Sequence, residues 1–245
     1  MSEQPKIAYI LPNFFTAASI FLGIVSALAS IRGDFEKAII YIVLSLVFDG
    51  LDGRVARLTH TTSKFGVEFD SLADVIAFGV APAMLFYFAV GKHFGRVGVL
   101  IMAIYVIFGA IRLARFNVTT GTYDPSMFIG LPIPTAAITT AFWVGLYNTY
   151  DIFKNYEILY LICVAGLSIL MVSNVRYPSF KKLNFKKTYF IKILVCLVIV
   201  FSLIYLYPLE ICAFFTSAYV LYGLIRASYN IINLKFKKVK RTKDE

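Results

Sequence analysis

Cysteine, histidine and tryptophan are scarce in this sequence, which has 3 Cys, 2 His and 1 Trp among 245 residues. Cys163, Cys196 and Cys212 each lie in an apolar stretch, and no two of them have the spacing of metal ligands. A disulfide framework requires several paired cysteines, and zinc sites are built from Cys and His. We therefore expect neither a disulfide framework nor a zinc site, and interpret the cysteines as small buried hydrophobic residues.

Charged residues are also few. They make up 16% of the chain, whereas hydrophobic residues make up 59% and the mean hydropathy is +0.76. These values lie far from those of an ordinary soluble domain. Apolar runs long enough to cross a bilayer recur along the whole chain. The sequence therefore predicts an all-α fold, a polytopic transmembrane helical bundle.

The apolar runs and their polar breaks predict about eight spans, with six as the lower count. They lie near residues 10–31, 35–58, 66–90, 96–118, 130–149, 156–174, 189–207 and 209–234. The last two are separated only by "YPLE", which predicts a tight helical hairpin at Pro208. Because no internal repeat or soluble segment is present, we expect one membrane domain over residues 1–234 and a basic tail over residues 235–245.

The distribution of Lys and Arg predicts the orientation. With eight spans both termini share a side, and that side carries 19 of the 24 basic residues. The opposite side carries Arg32, Lys37, Lys92, Arg96 and Lys154. By the positive-inside rule the termini are cytoplasmic, and the protein is expected in the cytoplasmic membrane. The net charge of +10 then suits anionic lipid head groups. We expect no nucleic-acid partner, because no soluble basic face is available to bind one.

Acidic residues are unevenly placed, since five of the 14 lie between positions 49 and 74. Asp49 and Asp52 are three residues apart on one face of the second helix, and Asp70 and Asp74 are four apart on the third. A short connection joins these helices, so we expect four carboxylates to converge in a cavity open to the cytoplasm. Small residues on the same faces leave space between the helices; they are Gly53, Ala56 and Gly66.

Four carboxylates in a low dielectric repel each other unless a cation neutralises them. A set of hard oxygen ligands without His or Cys favours Mg²⁺ or Mn²⁺, and four carboxylates can hold two such ions. Arg57 and Lys64 are placed to pair with phosphate. Two alternatives remain open at this point. The charges could form buried ion pairs that fix helix packing, or they could line the pathway of a cation transporter.

The spacing D-x-x-D-G-x-x-A-R, eight residues, then G-x-x-x-D-x-x-x-D resembles the signature of the CDP-alcohol phosphatidyltransferases. It is carried here by Asp49, Asp52, Gly53, Ala56, Arg57, Gly66, Asp70 and Asp74. The resemblance implies attack of an alcohol on the β-phosphorus of a CDP-linked lipid, with release of CMP. It implies that Asp49, Asp52 and Asp70 bind the metal ions. Asp74 would complete the metal site and act as general base, and Gly53, Ala56, Arg57 and Gly66 would contact the CDP-lipid.

Three further segments, "IRLARFN", "GLPIPTAA" and "SNVRYPSFKK", resemble the branch of the family that makes phosphatidylserine. "LPNFFTAASIFLG" is also similar, although Ser19 stands where that branch is expected to have Asn. This resemblance implies CDP-diacylglycerol and L-serine as substrates and suggests a homodimer. Candidate residues for binding the acceptor are Arg112, Arg115, Asn117 and Arg176. Glycerol 3-phosphate or inositol phosphate would also require arginines, so the same chemistry on either alcohol is the alternative.

Overall fold

The computed structural model describes residues 7–59, 61–119, 127–178 and 190–241. Of this part of the chain, 88% is helical. The helices are α1 (Ile7–Ile31), α2 (Phe35–Leu58), α3 (Lys64–Asp74), α4 (Ala81–Ala89), α5 (Arg96–Thr119), α6 (Ile133–Thr149), α7 (Asp151–Lys154), α8 (Glu157–Val172), α9 (Phe190–Leu206) and α10 (Pro208–Arg241). A π-helical turn, Val75–Val80, joins α3 to α4, and a 3₁₀ turn, Gly91–Phe94, precedes α5. The all-helical class predicted from the sequence is confirmed.

Four helical segments are long and apolar enough to cross a membrane, as judged by length and composition. They are Ile10–Ile31, Lys64–Ala89, Arg96–Thr119 and Pro208–Tyr229. Glu157–Val172 and Leu194–Leu206 are apolar but shorter. Each of the eight predicted spans corresponds to a helix or, for the third, to the continuous segment formed by α3, the π turn and α4. The protein is therefore a helical membrane protein.

α1 and α2 form a hairpin at the start of the bundle. Gly33 adopts a φ of 81° in the turn between them. Hydroxyl groups then link the two helices along their length: Ser26 Oγ donates to the Ala38 carbonyl at 2.8 Å, and Ser19 Oγ lies 2.7 Å from Ser45 Oγ. Small polar residues of this kind allow close helix packing in a membrane.

The π turn follows directly after Asp74 and has a local cause. Pro82 lacks a backbone N–H, and its ring would clash with the carbonyl four residues earlier. The preceding turn widens accordingly, and the Ala81 N–H bonds to the Ile76 carbonyl, five residues back. Helices often adopt such turns at functional sites. The turn packs Phe78 completely into the core, together with Phe86 of α4.

A short β-ribbon closes one end of the bundle. β1 (Met127–Ile129) pairs antiparallel with β2 (Arg176–Pro178), and Phe128 lies opposite Tyr177. Tyr177 is buried and its ring stacks on Tyr219 of α10, with 5.4 Å between the centroids. The ribbon thus connects the segment before α6 to the last helix.

Prolines mark two helix starts, and the sequence predicts the one at Pro208. Pro132 is the N-cap of α6, and Pro134 follows in its first turn. α9 ends at Leu206 and α10 begins at Pro208, so that only Tyr207 separates the two helices. The backbone of α10 remains helical to Arg241. The predicted tail from residue 235 therefore continues this helix, and residues 242–245 lie outside the described part of the chain.

Candidate active site

Two helix ends bring the aspartates together. α2 ends at Leu58, and α3 begins at Lys64 after a short connection. Ser63 is the N-cap of α3, and its hydroxyl accepts a hydrogen bond from the Gly66 N–H at 3.0 Å. Such a cap fixes where the first turn of the helix begins. In the folded protein the side chains of Asp49 on α2 and of Asp70 and Asp74 on α3 come together.

Three carboxylates lie together in the protein. One oxygen each from Asp49, Asp70 and Asp74 fall within 4.8 Å of one another. Asp52 lies beside this group, because its side chain interacts with that of Asp70. Asp52 is 6% exposed, so this fourth carboxylate is also largely removed from solvent. We call these four residues the aspartate cluster.

The donor set of the aspartate cluster fits a divalent cation. All of its donors are carboxylate oxygens, which are the ligands that Mg²⁺ and Mn²⁺ prefer. Asp74 Oδ1 is buried and has no hydrogen-bond partner among the described residues. A buried, unpaired carboxylate oxygen is costly unless a ligand satisfies it. Binding of a cation would satisfy this oxygen and relieve the repulsion among the carboxylates.

A cavity of about 210 Å³ opens beside the aspartate cluster. It lies between the first turns of α1, the end of α2 and the start of α3. Its lining consists of Pro12, Asn13, Thr16, Asp52, Gly53, Ala56, Arg57, Thr61, Thr62, Ser63, Gly66, Val67 and Asp70. Four of the five residues predicted to contact a CDP-lipid are therefore at the cavity. The fifth, Lys64, is exposed nearby but does not line it.

Arg112 interacts with the aspartate cluster but does not line this cavity. Its side chain is 6% exposed, and its charge interacts with that of Asp74. The guanidinium carbon lies 5.3 Å from the ring centroid of Phe116. Among the described residues Arg112 has no ion pair within 4 Å, and its Nε has no hydrogen-bond partner. Arg112 therefore has hydrogen-bonding capacity available next to Asp74.

Arg115, one turn further along α5, has different surroundings. Its guanidinium donates to four backbone carbonyls, those of Ile129, Met171, Val172 and Ser173, at 2.9 to 3.2 Å. Gly130 packs against this group with a φ of 78°, and a Cβ there would overlap the Met171 carbonyl. Arg115 thus ties the end of α5 to β1 and to the end of α8.

The other two residues predicted to bind the acceptor alcohol, Asn117 and Arg176, lie beside residues outside the aspartate cluster. Asn117 Nδ2 donates to Ser71 Oγ at 2.9 Å, which joins the end of α5 to α3. Arg176 is exposed on β2, opposite Ile129. The structure thus places all four candidates around the end of α5, but it brings only Arg112 into an interaction with an aspartate of the cluster.

Sequence reasoning missed the contribution of α1. Pro12, Asn13 and Thr16 line the cavity, and Thr16 is hydrogen-bonded to Asp52. A signal was available: Asn13 and Thr16 are polar and lie one turn apart in a largely apolar helix. Thr61 and Thr62, which carry hydroxyl groups, also line the cavity.

These features define a helical membrane protein with a partly buried carboxylate site suited to divalent cations. A family model described as CDP-alcohol phosphatidyltransferase matches residues 9–170. The chain is 52% identical over 233 residues to the CDP-diacylglycerol–serine O-phosphatidyltransferase of Helicobacter pylori, covering 95% of this chain and 97% of that protein.

Two archaeal proteins are also similar. The archaetidylserine synthase of Methanothermobacter thermautotrophicus is 38% identical over 73% of this chain and 74% of its own length. The CDP-diacylglycerol–serine O-phosphatidyltransferase of Methanocaldococcus jannaschii is 35% identical over 88% of this chain and 93% of its own. The chain belongs to the CDP-alcohol phosphatidyltransferase family.

Proposed function

We propose that this protein transfers the phosphatidyl group of CDP-diacylglycerol to the hydroxyl of L-serine, which gives phosphatidylserine and CMP. The observation that carries the proposal is the aspartate cluster beside a cavity, in a chain whose family signature is complete. The choice of serine is supported by the names of the three relatives described above. Two of these proteins are CDP-diacylglycerol–serine O-phosphatidyltransferases, and the third is an archaetidylserine synthase.

The donor lipid is proposed to bind with its diphosphate at the cavity. Gly53, Ala56 and Gly66 carry little or no side chain there, so a nucleotide can approach the helix backbones closely. Arg57 lines the cavity and is proposed to pair with phosphate oxygens, as its guanidinium geometry allows. Lys64, exposed nearby, would attract the same charge from the rim.

Asp49, Asp52, Asp70 and Asp74 are the proposed ligands of two divalent ions, Mg²⁺ or Mn²⁺. A divalent metal requirement is general in this family, and the donor set of the cluster suits it. When bound, such ions neutralise the negative charge of the diphosphate and make its phosphorus more open to attack. The protein's own contribution is to hold the four carboxylates in place at one end of the helices.

Asp74 is also the proposed general base. A serine hydroxyl is a weak nucleophile until a carboxylate in reach accepts its proton. In the proposed reaction the serine oxygen forms a bond to the β-phosphorus. The bond from that phosphorus to the oxygen of CMP breaks, and CMP leaves with the electron pair. The proton of the hydroxyl passes to the Asp74 carboxylate.

Arg112 is proposed to hold the carboxylate of serine, because it is buried next to Asp74 and has a free donor. A guanidinium binds a carboxylate through two parallel hydrogen bonds. The acceptor roles of Arg115, Asn117 and Arg176 stay predictions. The contacts of Arg115 and Asn117 favour an indirect role, in which they hold the end of α5 and thereby the position of Arg112.

We further propose that the eight helical segments that correspond to the predicted spans all cross the membrane, with both termini and the cavity on the cytoplasmic side. Residues 1–234 would form one domain, with the basic segment 235–245 at the membrane surface. This orientation is supported by the concentration of Lys and Arg on one side. This orientation suits the substrates, because the CDP head group of the lipid and serine are water-soluble, whereas the acyl chains of the lipid remain in the bilayer. We also propose that the protein forms a homodimer, as the family resemblance implies.

The proposed function is tested by CMP release from the purified protein in detergent with CDP-diacylglycerol and Mn²⁺ or Mg²⁺. Serine, glycerol 3-phosphate and inositol phosphate are offered separately, each with an EDTA control. We expect metal-dependent CMP release with serine and none with the other two alcohols. Release with another alcohol would keep the chemistry and replace the acceptor. Absence of metal-dependent release with all three would contradict the enzyme and favour the cation pathway.

A further inference from the structure

Thr16 carries a buried hydroxyl group by which α1 contacts α2. Its side chain is 3% exposed, and Thr16 Oγ1 donates to Asp52 Oδ2 at 2.7 Å. The same oxygen lies 3.2 Å from the Pro12 carbonyl, one turn back. A threonine hydroxyl has a single hydrogen, and the shorter distance favours Asp52 as its main acceptor. A hydrogen bond to a carboxylate is also stronger than one to a neutral carbonyl.

This contact differs from the other hydroxyl contacts between α1 and α2. One turn further along α1, Ser19 Oγ lies 2.7 Å from Ser45 Oγ and is equally buried. Ser26 bonds to a backbone carbonyl of α2. Those contacts join the helices, but Thr16 alone among these three bonds to a member of the aspartate cluster. Thr16 and Asp52 also both line the cavity.

We propose that Thr16 is a positioning residue that holds the Asp52 carboxylate in the orientation needed to bind a divalent cation. Because Oδ2 accepts this hydrogen bond, rotation of the carboxylate about its last bond is restricted. Groups that hydrogen-bond to metal ligands in this way orient them, and removing such a group typically lowers metal affinity or activity about 10- to 100-fold. The inference rests on the proposed function in assigning Asp52 to the metal site.

The test compares Thr16→Val, which keeps the shape and removes the donor, with Thr16→Ser, which keeps the donor. Ser19→Ala is the matched control, since it removes an equally buried α1–α2 hydroxyl contact that involves no aspartate. Mn²⁺ binding is measured directly, from the electron paramagnetic resonance signal of free Mn²⁺ titrated with protein in detergent and without substrates. The Mn²⁺ concentration for half-maximal CMP release is measured in parallel.

We expect Thr16→Val to weaken Mn²⁺ binding about 10- to 100-fold and to raise the half-saturating Mn²⁺ concentration by a similar factor. Thr16→Ser and Ser19→Ala are expected to stay within about threefold of wild type, since each keeps the hydroxyl bonded to Asp52. Unchanged Mn²⁺ binding by Thr16→Val would overturn the proposal. So would an equal loss in Ser19→Ala, which would assign the effect to helix packing.

Two additional measurements keep the test decisive. Thr16→Ala is made alongside Thr16→Val, so that either variant with a wild-type elution profile can decide the question. In an Asp52→Asn background, Thr16→Val is expected to change Mn²⁺ binding less than twofold, because additivity fails for residues that act through each other. A full additional loss there would contradict the link through Asp52. If the wild-type protein binds Mn²⁺ but releases no CMP, the proposed function fails while the positioning of Asp52 is still decided.

Discussion

At the scale of single residues, two arginines one turn apart on α5 illustrate how surroundings determine what a charge can do. The guanidinium of Arg115 is occupied by four backbone carbonyls, whereas Arg112 is buried beside Asp74 with an unpaired Nε. A buried hydrogen-bond donor of a charged group is costly when it has no acceptor. An anionic substrate group that pairs with Arg112 would remove this cost, so the two arginines should respond differently to substitution.

Substitution of Arg112 by Ala is expected to raise the half-saturating serine concentration about 10- to 100-fold, because hydrogen bonds to charged groups contribute roughly 1.5–3 kcal/mol. The requirement for CDP-diacylglycerol should change less than about threefold by the same reasoning. Steady-state CMP release at varied concentrations of each substrate measures both. Arg54→Ala is the control, since Arg54 is exposed at the end of α2 and does not line the cavity. An equal rise for both substrates would argue against carboxylate binding by Arg112.

Asp74→Asn is expected to lower the turnover number at least about 100-fold, because general-base catalysis typically contributes 10²- to 10⁴-fold. The amide keeps the size of the side chain but cannot accept the proton of serine. Binding of CDP-diacylglycerol, measured by retention of a labelled lipid on immobilised protein, should be largely preserved. If binding is lost together with turnover, Asp74 acts chiefly as a metal ligand.

At the scale of elements, the chain was easiest to predict where a helix is a long apolar run. All eight predicted spans correspond to helical segments, and Pro208 lies at the start of a helix as expected. The π turn was not predicted, because Pro82 in an apolar run indicates a local disturbance but not which turn will form. The β-ribbon was also missed, since its two strands have three residues each and pair across a long sequence separation.

The spacing of the aspartates predicted which helix faces meet, since residues three or four apart lie on one face of a helix. It did not predict the role of α1. Thr16 contacts Asp52 across 36 positions of sequence, and a threonine in an apolar helix is equally consistent with simple packing. Nor did spacing distinguish Arg112 from Arg115, because the carbonyls that occupy Arg115 come from β1 and the end of α8.

Close packing of two elements gives a prediction about stability. Gly98 of α5 faces Gly91 of the 3₁₀ turn, and a Cβ at position 98 would overlap the Gly91 carbonyl. Because a backbone group cannot move aside cheaply, Gly98→Ala is expected to destabilise the protein by about 1–3 kcal/mol. Gly166→Ala in α8, where a Cβ meets no atom within 4 Å, should be neutral or stabilise by up to about 1 kcal/mol. Thermal unfolding in detergent compares the two, and equal effects would contradict the proposed overlap.

At the scale of the whole molecule, the proposed eight spans place Lys154 and Lys64 on opposite sides of the membrane. Both side chains are exposed. In a variant without the three native cysteines, Lys154→Cys should react with a membrane-impermeant maleimide in intact cells. Lys64→Cys should react only after the membrane is permeabilised. The reverse pattern would invert the orientation, and reaction of both in intact cells would contradict the number of spans between them.

The contacts of Arg115 have a consequence for the timing of biosynthesis. The carbonyl of Val172 lies 57 positions after Arg115 in the chain. At about 5–20 residues per second, the ribosome adds that length in about 3 to 11 seconds. During this interval α5 has been made, but the guanidinium of Arg115 lacks three of its four acceptors. The set of four carbonyls around Arg115 is therefore completed only after the end of α8 has been made.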